Sequence, residues 1–225
     1  DPRTIDYADT SDFHAYVMSD GDNMQWTIGS FVDSPRYLGN PRRDSVGLSW
    51  TTCPVNLSVM APSVWNEIAR VQRDNFSLIE YGGGYQYPDQ FAVNRPDREA
   101  LLREFARRLD YHFKRLGIEV FGFICKDVSS PEAQQAFRIY AEEIGGLAGM
   151  LAVQYYPYEL DGSIMWFPGR DGADIPVVTA RYSLWNDVDP NRPRCGTPEY
   201  VSSLINRDAL AAAKAGDRQL QWTIV

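Results

Sequence analysis

The residues able to do chemistry in this chain stand in short polar segments, and the first is Ser19-Asp20-Gly21-Asp22-Asn23. Asp20 and Asp22 are two apart, so they share a side if a strand persists, and Gly21 permits a tight turn that converges them. Such a pair serves as a carboxylate dyad for proton transfer or as half of a divalent-cation site, and the same spacing also fits an Asp-Gly turn with self-capping side chains. Glu80 precedes Tyr81 and the run Gly82-Gly83-Gly84-Tyr85-Gln86-Tyr87-Pro88. A Glu that closes a strand stands where barrel enzymes place an acid or nucleophile, or else it is a salt-bridged strand end. Further along come Trp50-Thr51-Thr52, Lys126-Asp127, Gln154-Tyr155-Tyr156-Pro157-Tyr158-Glu159, Arg181-Tyr182 and Trp185-Asn186-Asp187. Flat rings cover the C–H face of a pyranose while carboxylates and amides pair with its hydroxyls, so this set suits a sugar. Any single Tyr or Trp can equally fill the core; the clustering carries the signal.

Other chemistries lack material. Two histidines, His14 and His112, do not make a paired-His metal centre. Cys53, Cys125 and Cys195 are odd in number and far apart, which indicates neither a disulfide framework nor a zinc knuckle. Gly47-Leu-Ser49-Trp-Thr51 lacks the second glycine of a nucleophile elbow. The glycine triplet is followed by tyrosines and Pro88 instead of a helix start, so it is not a dinucleotide fingerprint. Asp187-Val-Asp189-Pro-Asn191 has alternate acidic spacing, yet Arg192 replaces the glycine a calcium loop requires. No cofactor and no metal site are expected; a divalent cation at Asp20 and Asp22 is the one alternative the residues admit.

These residues need elements to position them. Hydrophobic residues make up 44% of 225 and charged ones 23%, enough for a full core. Apolar or alternating runs at 13–18, 46–50, 76–80, 118–124, 149–154, 175–181 and 219–225, with 163–167 as a possible eighth, alternate with helical patterns. That rhythm predicts an α/β fold, a distorted or incomplete β/α (TIM-like) barrel of seven to eight mostly parallel strands. Leu102, Phe105, Leu109, Phe113 and Leu116 recur at helical spacing over 97–116. Ser129-Ser130-Pro131-Glu132 starts a second helix that runs to Gly145-Gly146, Thr197-Pro198-Glu199 starts a third, and Ser63 is placed to cap a short one through Val71. Turn-rich pieces between 161 and 172 predict a hairpin or excursion beside the strand ends. The chain is read as one domain over 1–225, with 1–11 a leader or linker. A net charge of −8 argues against nucleic acid as a partner, and no apolar run approaches the roughly 20 residues of a membrane span.

In parallel α/β folds the ligand lies where strands give way to loops at their carboxyl ends. The catalytic candidates are therefore Glu80 paired with Asp20, Asp22 or Asp127, and the substrate-binding candidates are Asn23, Trp50, Gly82, Gly84, Tyr85, Gln86, Tyr87, Tyr156 and Trp185. A non-catalytic carbohydrate-binding module and a cation-dependent hydrolase centred on Asp20 and Asp22 remain the alternatives. The separation of the carboxyls would set a retaining or inverting outcome.

Gly82-Gly83-Gly84-Tyr85-Gln86-Tyr87-Pro88 matches the signature G-x-G-Y-x-Y-P. With Ser19-Asp20-Gly21-Asp22-Asn23 and Gly39-Asn40-Pro41-Arg42-Arg43, it makes the chain from about position 12 onward resemble the C-terminal domain of the GxGYxYP putative glycoside hydrolase family. The resemblance implies a barrel-like domain of an extracytoplasmic bacterial protein (secreted, periplasmic or at the cell surface), a carbohydrate ligand, and an N-terminal domain preceding this one. It carries no established catalytic pair.

Overall fold

A computed structural model describes residues 6, 8–73, 77–185 and 191–225. Among these residues nine strands form one sheet: β1 (Phe13–Met18), β2 (Leu48–Thr52), β3 (Leu78–Tyr81), β4 (Val120–Cys125), β5 (Gly149–Gln154), β6 (Ile164–Pro168), β7 (Asp174–Thr179), β8 (Tyr182–Ser183) and β9 (Leu220–Ile224). Their order is β6-β7-β5-β4-β3-β2-β1-β9-β8, parallel throughout except for the β6–β7 hairpin. The chain is thus a mixed α/β fold with a curled, half-barrel sheet, which is the coarse form of the barrel the sequence predicts.

The strand count exceeds seven to eight because the run 175–181 is two strands. Only Ala180 and Arg181 separate β7 from β8, so one stretch of chain pairs first with β5 and then with β9. The Arg181 N–H donates to the Trp222 carbonyl at 3.1 Å, joining the two pairings. Of the hairpin or excursion expected over 161–172, a hairpin is present, β6 returning into β7, with its turn at the start of β7 instead of beside the carboxyl ends of the strands.

Side-chain alternation sorts the strands into two layers. Val17, Ile79, Tyr81, Ile124, Val153, Tyr158, Trp222 and Ile224 pack together on the inside of the curl. Phe121, Phe123, Met150, Ala152, Ile175 and Val177 face outward into the helices. Among those helices are α1 (Met24–Gly29), α2 (Pro54–Met60), α3 (Pro62–Arg70), α4 (Arg98–Leu116), α5 (Pro131–Glu143) and α6 (Pro198–Ala215). Leu102, Ala106, Leu109 and Phe113 put α4's apolar stripe on the sheet; the three larger side chains each contribute roughly 1.5–3 kcal/mol by burial, and Gly117 ends the helix at φ 67°. The Ser130 hydroxyl accepts from the Ala133 N–H at 3.2 Å and starts α5, and Thr197 does the same for α6 at 3.4 Å. Ser63 does not cap α3: Pro62 already occupies its first turn and Ala61 precedes it. The sequence reading missed α1 and α2, which are six and seven residues long and have no side-chain cap to announce them. No helix is long and apolar enough to cross a membrane among the described residues.

Candidate functional site

The turn after β1 is locked onto β2. Thr51 Oγ1 donates to the Met18 carbonyl at 2.6 Å and accepts from the Gly21 N–H at 3.0 Å. A Cβ on Gly21 would lie 2.1 Å from the Thr51 carbonyl carbon, so no other residue fits between the two carboxylates. Gly21→Ala is expected to cost about 1–3 kcal/mol, read as a lower urea midpoint at unchanged m-value. An unchanged midpoint would show that the turn has room this geometry denies.

The turn leaves its two acids unequal. Asp20 is exposed and holds φ at +66°, a left-handed conformation that Asp tolerates better than most residues. Asp22 is 6% exposed, and burial, followed by the nearby charge of Asp20, pushes its carboxyl up to about 6. Burial also raises Asp20. The Tyr81 phenol, buried on the inner face, has no hydrogen-bond partner among the described residues. Burial, and then the charges of Asp22 and Asp20, raise it well above the ordinary tyrosine range. Gly122 makes room for that ring, since a Cβ there would lie 2.7 Å from it.

The glycine run takes the chain from β3 into the second wall of the site. Gly82, Gly83 and Gly84 all have positive φ, and a Cβ on Gly83 would meet Phe105 and Leu109 of α4 at under 3 Å. Three residues then anchor the loop. Both Glu80 oxygens accept backbone N–H groups, from Val55 at the start of α2 (2.8 Å) and from Gly83 (3.1 Å). Asp89 Oδ2 accepts the N–H groups of Lys126 and Asp127, both at 3.0 Å, tying the loop to the end of β4. The buried Arg98 guanidinium donates to the carbonyls of Pro88, Phe91 and Glu132 and to the Gln135 side chain.

An arc of rings borders the opening. Tyr85, Tyr87, Tyr155, Tyr158 and Trp185 follow one another at centroid distances of 6.2, 6.1, 5.7 and 4.8 Å. The Lys126 ammonium sits 3.7 Å from the centre of Tyr155 and 4.7 Å from that of Tyr87, a cation–π clasp between the loops after β3, β4 and β5. Trp185 and Tyr85, the two ends of the arc, line the same openings as Asp20 and Asp22, so arc and acids occupy one mouth. Two clefts meet there and share Asn23. One, of about 370 Å³, is lined by Asp20, Trp26, Tyr37 and Trp185; the other, of about 350 Å³, by Asp22, Gln25, Asn56 and Tyr85.

The mouth therefore gathers Asp20, Asp22, Asn23, Tyr85, Tyr87 and Trp185 from segments far apart in sequence. Tyr156, 59% exposed and at φ 56°, lies in the same loop as Tyr155. Other candidates are placed elsewhere. Glu80 is fully buried and faces the helix layer, because side chains alternate along β3 and its neighbours Ile79 and Tyr81 take the inward positions. Trp50 is sealed against Phe31 in the same layer, at a ring distance of 5.6 Å. Asp127 caps a turn: its Oδ1 accepts from both the N–H and the hydroxyl of Ser129, which lowers its carboxyl. Gly82 and Gly84 contribute backbone shape, and Gln86 reaches toward the Gly82 carbonyl and the Tyr140 hydroxyl, both at 3.4 Å. Most of the acidic turn 187–191 lies outside the described residues. Tyr37 and Asp89 went unnoticed in the sequence, although Asp89 directly follows Pro88 and so had a positional signal. Among the described residues, no three His, Cys, Asp or Glu side chains assemble as metal ligands.

The family model described as GxGYxYP putative glycoside hydrolase C-terminal domain matches residues 13–219. No curated protein and no solved structure matches.

Proposed function

Because the chain belongs to the GxGYxYP putative glycoside hydrolase family, whose C-terminal domain it matches over residues 13–219, we propose that its mouth binds a carbohydrate and hydrolyses a glycosidic bond. The observation that carries this reading is the pair of unequal carboxyls, Asp20 exposed and Asp22 buried, within an opening edged by rings. Two nearby acids in different environments divide the labour of proton transfer: the one whose pKa is raised further keeps its proton and donates it, and the other ionises first. Asp22 is the acid that protonates the departing oxygen. Asp20 is the base or nucleophile on the other side of the bond. Trp26, Tyr37 and Trp185 supply a stacking wall on one flank and Gln25, Asn56 and Tyr85 hydroxyl partners on the other, a division that suits sugar units on both sides of the cleaved bond. Glu80, Asp89 and Arg98 hold the walls and touch no substrate.

The test is a screen of glycans and chromogenic glycosides, with binding by calorimetry and turnover by product release, on the unaltered protein and on Asp20→Asn with Asp22→Asn. Turnover that disappears in the double variant supports the assignment, and turnover that survives it removes both acids from the mechanism. Glycan binding without turnover makes the domain a binding module. Turnover abolished by chelator and restored by a divalent cation makes Asp20 and Asp22 ligands of that cation. Trp185→Ala is expected to weaken glycan binding by about 1–2 kcal/mol, a factor of roughly 5–30, while leaving the fold intact. An unaltered dissociation constant would take Trp185 out of the binding wall.

A further inference from the structure

At the end of the strands opposite the carboxylates, the starts of β1 and β9 face β6 and β7 across a groove of about 420 Å³. Four large apolar side chains lie open there: Trp166 (61% exposed), Phe13 (53%), Leu220 (39%) and Ile164 (37%). None of the described residues lining the groove is charged. Apolar area gathered in one place with no charge among it marks a contact surface. Strand β6 makes the same point independently. It is the last strand on its side of the sheet, and its sequence, Ile-Met-Trp-Phe-Pro, has none of the charged residues that shield a free strand edge from unwanted pairing.

The position of the groove indicates what covers it. The matched family is named for a C-terminal domain, which puts another domain upstream in the full-length protein. Any upstream segment reaches this fold through Phe13, whose own ring lines the groove. The chain there is pinned to the start of β9, where the Phe13 N–H donates to the Gln219 carbonyl at 2.9 Å and Asp12 Oδ1 accepts the Gln219 N–H at 2.6 Å. A domain tethered at that point meets the groove at high effective concentration, an advantage that a second copy of the chain does not have. We propose that this groove is the docking face for the domain preceding Phe13, which covers Phe13 and Trp166 with apolar surface and shields the free edge of β6. The inference rests on family membership and is independent of any catalytic role for the mouth.

The experiment uses the full-length protein with Trp166→Cys, and with Leu210→Cys on α6 as an open control (64% exposed); Cys53, Cys125 and Cys195 are buried and stay silent. A maleimide reagent is expected to label position 166 at least about tenfold more slowly than position 210, at a ratio that does not change on dilution. Equal rates would overturn the proposal. Protection that is lost on dilution would overturn it too, by making the occupant a second copy. If Trp166→Cys does not fold, deuterium uptake by those amides of 164–167 that point away from β7 in the unaltered full-length protein decides: slow exchange supports docking, and exchange at the rate of an open strand edge overturns it.

Discussion

Asp22→Asn is expected to lower kcat on an unactivated glycan by about 10²–10⁴, the range over which one positioned proton donor contributes, in a protein that stays folded. The expectation follows from burial. Asp22 is held at about 6 chiefly because its charge is poorly solvated, with the charge of Asp20 as the second cause. Its proton is therefore present below about pH 6 and lost above it, and activity that depends on that proton falls as pH rises through this value. An aryl glycoside whose leaving group departs without protonation should lose less activity than the glycan does, which separates an acid from a residue that only shapes the cleft. The stability sign runs the other way. A carboxyl whose folded-state pKa is raised makes the fold less stable once it ionises, so Asp22→Asn should leave the melting temperature at pH 7 unchanged or higher. A variant that melts well below the unaltered protein would make Asp22 a structural residue, and equal losses on activated and unactivated substrates would exclude it as the proton donor.

Glu80→Ala should lower stability by about 1–4 kcal/mol, because the buried Val55 N–H loses its acceptor at about 1–3 kcal/mol and the half-buried Gly83 N–H loses its own at about 1 kcal/mol or less. That is a large share of the 5–15 kcal/mol that holds a typical domain together. The signature loop and the start of α2 are the parts released, so the mouth loses its wall although Glu80 never reaches the opening. The same residue makes stability depend on pH. Burial drives Glu80 from its ordinary 4.5 up to about 8, against the pull of the backbone N–H groups from Val55 and Gly83. The folded state therefore holds this proton more tightly than the unfolded chain does. The contribution is most favourable below about 4.5, declines as pH rises toward about 8, and is level above that. Glu80→Gln keeps one acceptor and cannot ionise, so urea midpoints measured from about pH 4 to about pH 9 should lose this part of their slope. An identical slope in the Gln variant would place the titration on another group.

Much of this was open to reading in one dimension. Apolar spacing placed β1, β4, β5 and α4 within a residue or two, since a two-residue period and a 3.6-residue period leave different marks wherever one face is buried. Asp20, Gly21 and Asp22 announced a tight turn carrying two acids, and the glycine triplet announced backbone that a Cβ would obstruct; both are properties of local chemistry. The tertiary structure alone decided which way each strand residue points. Glu80 and Tyr81 are neighbours, and the register in which β3 pairs with β2 and β4 decides which of them faces the mouth, because side chains alternate and a slip of one residue reverses every face. Trp50 followed the same parity into the helix layer. Residues 180–181, where one run changes partner from β5 to β9, carry no local sign of the change, because a neighbouring strand from a distant part of the chain determines it. Sequence spacing thus supplied the list of reactive groups, and strand pairing between remote segments selected Asp20 and Asp22 from it as the acids left at the opening.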